Sequence, residues 1–386
     1  MPRPDLRRLL RPAFPARAAL WLIAVVAFAF SLAAFAVGLR LGSGETGQDE
    51  AREAVLVFAE FGGTADRVYT APATNPGERT LIATVEHAEG WGINPAPAMA
   101  GTLVAYTVLS PETPGRRDEP AELWVLDVAT HERTRLARDA DLLAAPILDE
   151  EGGTLAYRST GGDGEQRLVR VDLKTRARRD LHSYVGALGV YPVGFARDGA
   201  LIFAELSNGG TDVYRVHEQA PARLLFHASD QIARDWQISP DGRALSYLAP
   251  EVAAERVVHR VQVVELTAGR ERPFEEQADG AAEQFAPVWR PDGAVTVGRE
   301  AYPATNASAV TLSPDGTAEA LPAPAQGFDA PLAWSPDGRY LAARSFDGSS
   351  SYQPGRESMV VISVDGERRS VTARNELIFI GWMKRG

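Results

Sequence analysis

The chain has 386 residues, of which 45% are hydrophobic and 24% charged, a composition typical of globular proteins and not of disordered ones. A net charge of −11 would repel a phosphate backbone, which argues against nucleic acid as a partner. The chain has no cysteine, which excludes disulfides, thiolate metal sites and cysteine nucleophiles.

The first predicted element is an uncharged segment at residues 18–39, whose 22 residues would span about 33 Å as a helix, enough to cross a bilayer. Five arginines precede it and one follows, so the positive-inside rule places residues 1–17 in the cytoplasm. We therefore predict a single-pass helix in the cytoplasmic (inner) membrane, with the rest of the chain periplasmic or extracellular. A cleaved signal peptide is the alternative, because Ala34-Phe35-Ala36 fits the pattern before a cleavage site.

Residues 40–53 are polar and rich in glycine, which predicts a flexible linker to a domain at residues 54–386. That domain repeats a hairpin whose clearest copy is Trp334–Ser345 (WSPDGRYLAARS). Pro336 presets the turn and Gly338 takes its left-handed position. The equivalent glycines, separated by 43 to 51 residues, are Gly101, Gly152, Gly199, Gly242, Gly293 and Gly338.

A second kind of hairpin, an apolar strand followed by a polar turn and a basic strand, recurs seven times, as in Leu123–Leu136 and Met359–Val371. A four-stranded repeat of about 40 to 50 residues is the period of a propeller blade. The C-terminal run 376–382 (ELIFIGW) is left over as a single strand, and its Trp382 corresponds to Trp334. We predict an all-β fold, a seven-bladed β-propeller whose ring is closed by this strand. Six or eight blades are the alternatives.

The combination of WSPDGRYLAARS with MVVISVDGERRSVT resembles the TolB-type (PD40, WD40-like) propeller repeat over residues 54–384. This repeat occurs in the periplasmic component of the Tol-Pal envelope system and in the propellers of prolyl-oligopeptidase-like enzymes. The resemblance implies a propeller, but it does not choose between the many functions of that fold.

The sequence contains no usable nucleophile-elbow, Walker, Rossmann or zinc-protease pattern. Its six histidines never fall at the spacing of metal ligands. We therefore predict no metal site, no cofactor and no catalytic residue.

Three arginines lie six residues after a turn glycine, at Arg158, Arg299 and Arg344. If the second strands are in register, these side chains end near the rim of the propeller, where three guanidinium groups could bind a carboxylate or a phosphate. The alternative is that each arginine pairs with a local acid.

Two connections at the same end are long for hairpins, at residues 108–122 and 345–358. Long loops on a rigid scaffold often carry recognition, so we predict partner-binding roles for Arg116, Arg117 and Tyr352. The alternative is that these loops are tolerated insertions.

The leading hypothesis is a membrane-anchored scaffold that binds another protein of the bacterial cell envelope. A sensor or carrier for a small anion is the second hypothesis, and a propeller enzyme, such as a lyase or a glycosidase, is the third. A broad apolar loop surface would favour the first, a narrow charged funnel the second, and a converging carboxylate pair or acid–histidine pair the third.

Overall fold

The computed structural model describes residues 54–384, except 94–96, 162–163, 187, 254–255, 268–269, 272–282, 301–305 and 352. Every regular element in this part of the chain is a β-strand, which confirms the predicted all-β fold. None of the described residues forms a helix long and apolar enough to cross a membrane. The predicted segments 1–17, 18–39 and 40–53, and also Tyr352, lie outside the described residues.

The strands are two to ten residues long, seven being the commonest length, and they follow one another closely along the chain. Those of the first half are β1 (Ala54–Glu60), β2 (Ala65–Pro72), β3 (Thr80–Glu86), β4 (Ala98–Ala100), β5 (Leu103–Val108), β6 (Ala121–Asp127), β7 (Arg133–Ala140), β8 (Ile147–Leu148), β9 (Thr154–Thr160), β10 (Gln166–Asp172), β11 (Arg178–Tyr184), β12 (Gly189–Phe195), β13 (Leu201–Ser207), β14 (Gly210–Val216) and β15 (Arg223–Ser229). Those of the second half are β16 (Arg234–Ile238), β17 (Ala244–Ala253), β18 (Arg256–Glu265), β19 (Arg270–Glu271), β20 (Glu283–Trp289), β21 (Val295–Glu300), β22 (Asn306–Ala307), β23 (Val310–Leu312), β24 (Ala318–Ala320), β25 (Gly327–Trp334), β26 (Tyr340–Phe346), β27 (Glu357–Ser363), β28 (Arg368–Val371) and β29 (Leu377–Lys384).

Most of these strands form antiparallel meanders in which a strand pairs with its neighbours in sequence; β22, which pairs in parallel with β25, and β29, which pairs with β1, are exceptions. The sheet orders are β29-β1-β2-β3, β11-β10-β9-β7-β6-β5-β4 with β8 beside β9, β12-β13-β14-β15, β16-β17-β18-β19, β20-β21-β23-β24, and β22-β25-β26-β27-β28. The second of these sheets consists of two meanders, β4–β7 and β8–β11, which are joined by the single pair Ala140 and Ser159.

The turns within the first hairpins form for the reason the sequence indicates. In one of them the Ser239 hydroxyl accepts hydrogen bonds from the backbone N–H groups of Arg243 (3.1 Å) and Ala244 (2.8 Å), while the Gly242 N–H donates to the Ser239 carbonyl (2.8 Å). The left-handed position requires glycine, because a side chain there would be strained. All six predicted turn glycines have φ between 58° and 86°.

Each antiparallel strand reverses the chain direction, so the remaining connections meet at the opposite end of the meanders. We call this end the loop face. It carries the β1–β2, β5–β6, β17–β18 and β26–β27 connections and those that follow β3, β7, β11, β15, β24 and β28.

The buried apolar residues lie between neighbouring meanders and hold them together. Ala156 and Leu168, from β9 and β10, share one cluster with Val190 and Phe203, from β12 and β13. Burial of about 25 cal/mol per Å² of apolar surface makes such contacts the main stabilising term.

Both ends of the described chain belong to the same sheet. The predicted C-terminal strand is observed as β29, which pairs antiparallel with β1 and places Trp382 opposite Leu56. At the end of β1 the buried Glu60 carboxylate accepts hydrogen bonds from the backbone N–H groups of Arg374 (2.9 Å) and Asn375 (3.3 Å), and it forms an ion pair with Arg79 (3.2 Å).

Candidate functional site

A cavity of about 760 Å³ lies at the loop face, between the first strands of several meanders. Its walls come from β16, β20, β25 and β29 and from the connection that follows β3. Such a cavity, formed by several elements of a rigid scaffold, is the usual form of a binding site. We call it the loop-face cavity.

The strands around the loop-face cavity carry β-bulges at the point where they line it. The pairing register shifts between Arg234 and Gln237 in β16, between Phe285 and Val288 in β20, and between Pro331 and Ala333 in β25. A bulge re-aims the side chains of its strand. The residues within or beside the shifts that line the cavity are Asp235, Trp236, Ala286, Pro287, Pro331 and Leu332.

Two of these residues have a backbone conformation that is uncommon outside glycine. The φ of Asp235 is 55° and that of Ala286 is 48°. Aspartate tolerates this region and alanine adopts it less readily, so the bulge at Ala286 is the more strained one. The sequence contains one weak signal for two of these bulges. Pro287 and Pro331 each come shortly before the turn of their hairpin, and proline lacks the N–H group that a regular strand ladder uses.

The lining of the loop-face cavity combines aromatic rings with charged groups. The aromatic residues are Phe61, Trp91, Trp236 and Phe379. The charged residues are Asp235, Arg344, Glu357 and Glu376. The described lining thus holds three carboxylates and one guanidinium group, and its formal charge is negative.

A buried histidine–aspartate pair positions the connection after β3 on the cavity rim. The Asp66 carboxylate accepts hydrogen bonds from the backbone N–H groups of Gly62 (3.1 Å) and Ile93 (2.6 Å) and lies 3.2 Å from Nε2 of His87. The other ring nitrogen of His87 lies 2.7 Å from the Ala88 carbonyl oxygen. Both nitrogens thus face acceptors and the side chain is buried, so this pair acts as a structural support and does not reach a ligand.

Of the three predicted arginines, Arg158 lies in the interior. Its Nε is 3.0 Å from Oδ2 of Asp141, its Nη1 donates to the Val190 carbonyl (3.0 Å), and its guanidinium carbon lies 4.4 Å from the centre of the Tyr191 ring. Burial alone would raise the pKa of the Asp141 carboxyl, but the Arg158 charge and a hydrogen bond from Thr160 lower it below its ordinary value.

The reason for this placement is the short first strand of the meander. β8 has only two residues and pairs with β9 only at Leu155 and Ala156. The rest of β9 is therefore open to the connection after β7, in which the Asp141 N–H donates to the Arg158 carbonyl and the Asp141 carboxylate lies beside the Arg158 guanidinium. Arg158 therefore pairs with a local acid, which was the alternative to a shared anion site.

The other two arginines lie elsewhere. Arg344 lines the loop-face cavity, where its Nε is 3.8 Å from Oε1 of Glu357. Arg299 sits on β21 opposite Gln284, away from the cavity lining as the structure describes it. The structure therefore does not bring the three guanidinium groups to one lining.

The two long connections are present at the loop face. In the β5–β6 connection Arg116 and Arg117 are exposed, and Arg116 forms ion pairs with Asp118 (3.3 Å) and Glu119 (3.6 Å). The same connection packs at Gly115 against Trp91 of the cavity rim. The β26–β27 connection contacts the neighbouring meander, because the Ser351 N–H donates to Glu300 (2.7 Å).

A second feature of the loop face, which was not predicted from the sequence, is a set of exposed apolar side chains. We call this set the apolar patch. Its members are 44% to 80% exposed. Leu143, Val185 and Ile232 lie in the connections after β7, β11 and β15, and Val252 and Val257 lie near the tip of the β17–β18 hairpin. Ile232 and Val257 line one shallow depression of about 430 Å³ with Leu188 and Pro250.

The β17–β18 hairpin projects the apolar patch outward. Each of its strands has ten residues, whereas β9 and β10 have seven, and Val252 faces Val257 across the pair. At its base Glu283 accepts from the backbone N–H of His259 (2.9 Å) and lies 2.7 Å from Nδ1 of that ring. Within the described part of the chain, histidine and carboxylate side chains form no group of three that could hold a metal ion.

Solved structures that match this chain include β-propellers. The β-propeller domain of the Trilobed protease from Pyrococcus furiosus, which has an open velcro topology, matches with a TM-score of 0.56 and 11% identity over 84% of this chain and 96% of that domain. Prolyl endopeptidase matches with a TM-score of 0.55 and 14% identity over 82% of this chain and 49% of that one. TolB from Acinetobacter baumannii matches with a TM-score of 0.48 and 15% identity, over 72% of this chain and 66% of that one.

The chain thus spans about half the length of the prolyl endopeptidase and just under two thirds of TolB. No protein-family model matches the chain. No curated protein matches it either. Membership of the TolB-type repeat family stays a prediction from the repeat pattern. At these identities the two matches with TM-scores of 0.56 and 0.55 support a propeller-like fold and nothing finer.

Proposed function

We propose that this protein is a membrane-anchored β-propeller that binds another protein of the cell envelope through its loop face. The observation that carries the proposal is the apolar patch. Water-exposed apolar side chains scattered singly are ordinary, but several at one end of adjacent meanders mark a protein interface.

The form of the patch favours a protein over a small ligand. Val185 and Val252 are 80% and 76% exposed, so they stand out from the surface and cannot enclose a small molecule. Ile232 and Val257 form only a shallow depression, which suits the side chain of a partner surface. The negative lining of the loop-face cavity weighs against the alternative of a small-anion sensor.

The proposed architecture is a seven-bladed ring closed by the C-terminal strand. The pairing of β29 with β1 and the meander order support it, together with the seven second hairpins of the sequence. The uncharged segment at residues 18–39 supports the anchor, and its flanking arginines support an extracytoplasmic propeller.

The proposal is tested by photo-crosslinking in native membranes. A photoreactive residue is placed in the full-length protein at Val185, at Ile232 or at Val252, which lie in the β11–β12 connection, the β15–β16 connection and near the end of β17. The matched control is Val364, which is 51% exposed but lies in the β27–β28 turn at the opposite end. We expect the same partner to be captured from all three loop-face positions and not from Val364.

A second variant makes the result specific. Val257→Asp places a charge in the shallow depression without disturbing the core, so it should remove the crosslinks from Ile232. Capture from Val364 alone, or crosslinks that survive Val257→Asp unchanged, would contradict an interface at the apolar patch.

A further inference from the structure

We infer that the loop-face cavity is a binding site for an organic cation, an ammonium or a guanidinium group. This inference concerns a different surface from the apolar patch, so either can fail without the other.

The charge balance of the lining is the first argument. Arg344 and Glu357 lie 3.8 Å apart and offset each other's charge. This leaves the carboxylates of Asp235 and Glu376, neither of which pairs with any other described residue. Two uncompensated negative charges in one cavity attract a cation and repel an anion.

The aromatic lining is the second argument. Ring faces attract cations through their quadrupole, most strongly when water is excluded. The ring of Trp236 is held by stacking on Tyr247 at 4.6 Å, and that of Phe61 by stacking on His87 at 5.9 Å. Because packing holds these rings in place before any ligand arrives, little entropy is lost when a cation binds among them.

The chain itself shows that this chemistry holds a guanidinium group. Arg158 is held by the Asp141 carboxylate, the Tyr191 ring and the Val190 carbonyl. The loop-face cavity offers carboxylates and rings of the same kinds. Among the described residues of its lining, the guanidinium group is that of Arg344, half exposed beside Glu357.

The cation could be a free small molecule or a lysine or arginine side chain of a partner protein, since both present the same group. Two probes separate these sources. Acetyl-arginine amide represents the small molecule, and acetyl-Gly-Gly-Arg-Gly-Gly-amide represents a partner segment. Acetyl-citrulline amide has nearly the same shape without the charge, and inorganic phosphate represents an anion.

Binding is measured on the full-length protein through the fluorescence of Trp91 and Trp236, which line the cavity. We expect a saturable change with the arginine probes and none with citrulline or phosphate. Asp235→Asn and Glu376→Gln together should weaken binding about tenfold or more, because each removes a charge-assisted contact. Asparagine also tolerates the left-handed φ of 55° at position 235, so this variant keeps the fold.

The matched control is Glu150→Gln, which removes an exposed carboxylate from the β8–β9 turn at the opposite end. It should bind the arginine probes as the unchanged protein does. Tighter binding of the pentapeptide supports a partner side chain as the source, and equal or tighter binding of the single residue supports a free cation. Equal affinity for arginine and citrulline, binding of phosphate alone, no binding of either arginine probe, or full binding by the double variant would overturn the inference.

Discussion

The indole Nε1 of Trp382 donates a hydrogen bond to the carbonyl oxygen of Ala333, 3.0 Å away, and so links β29 to the first strand of the preceding meander. The equivalent tryptophans form similar links, from Trp289 to the Gln237 carbonyl (3.1 Å) and from Trp334 to the Thr296 hydroxyl (2.8 Å). Each indole therefore connects its own sheet to the sheet before it.

Replacing Trp382 by phenylalanine should lower the free energy of unfolding by about 1 to 3 kcal/mol, because the change keeps an apolar ring but leaves the partly buried Ala333 carbonyl without a donor. Thermal unfolding followed by circular dichroism measures the loss. Trp124→Phe is the control, since that indole donates to Glu122 of its own strand and the freed carboxylate can be hydrated. An equal loss in both variants would contradict a role of the indole in joining sheets.

Removing the charge of Glu60 should destabilise the junction between the two ends of the described chain. Glu60→Gln weakens the hydrogen bonds from Arg374 and Asn375 and the ion pair with Arg79. We expect a loss of about 1.5 to 3 kcal/mol, the range for hydrogen bonds to charged groups. Glu78→Gln changes an exposed glutamate nearby and should cost far less. Unchanged unfolding of Glu60→Gln would show that this carboxylate does not hold the junction.

The same carboxylate predicts a dependence of stability on pH. Burial would raise the pKa of Glu60, but the Arg374 N–H and the Arg79 charge outweigh it and hold the pKa below its ordinary value. A depressed pKa contributes stability that is fully present above the ordinary pKa of glutamate and is lost as the pH falls through the lowered value. The stability difference between the unchanged protein and Glu60→Gln should therefore be constant near neutral pH and shrink in acid. If the stability difference between the two proteins grew as the pH fell, the lowered pKa of Glu60 would be contradicted.

Arg158 should act on stability and not on ligand binding. Arg158→Met leaves the Asp141 carboxylate without its partner, which costs about 3 to 5 kcal/mol for a buried pair. Adding Asp141→Asn should recover part of this loss, because no unpaired charge then remains. Arg344→Met, at a half-exposed position, should change the unfolding free energy little. Urea unfolding is measured for the unchanged protein, Arg158→Met, Asp141→Asn, the double variant and Arg344→Met, and additive losses of the two single variants in the double variant would contradict direct coupling.

His227 should titrate above the ordinary pKa of histidine. Hydrogen bonds to Asp212 (2.8 Å) and Asp230 (3.1 Å) raise its pKa, with Asp212 the larger cause. Any stability from this contact is present below the ordinary pKa and is lost as the pH rises through the raised value. Titration by nuclear magnetic resonance should show a greater fall in the pKa with Asp212→Asn than with Asp230→Asn. The exposed His217 ring serves as an internal reference for intact folding.

Local sequence was sufficient for those parts of the fold that depend on local chemistry. The Ser-Pro-Asp-Gly turns form because the serine hydroxyl, the proline and the glycine each satisfy a requirement within six residues, as at Ser239 and Gly242. The correspondence of Trp382 with Trp334 could likewise be predicted, because both follow the same spacing of apolar residues.

The environment of the three arginines could not be predicted in this way. Arg158, Arg299 and Arg344 have the same spacing from a turn glycine, yet their surroundings depend on contacts far along the chain. Arg158 meets Asp141 because β8 is short, and β8 is short for no reason visible within its own residues. The apolar patch was missed for a similar cause, since Ile232 and Val257 come together only in the folded chain.

The pairing of β29 with β1 has a consequence for the order of assembly during synthesis. β1 leaves the ribosome first among the described strands, and its strand partner on one side is the last to be made. At translation rates of about 5 to 20 residues per second, that interval is roughly 15 to 65 s. Throughout it, the strand Ala54–Glu60, every residue of which is buried in the finished protein, has an open edge. Among the described sheets, the first to begin is therefore the last to be completed, because its edge stays open until β29 has been made.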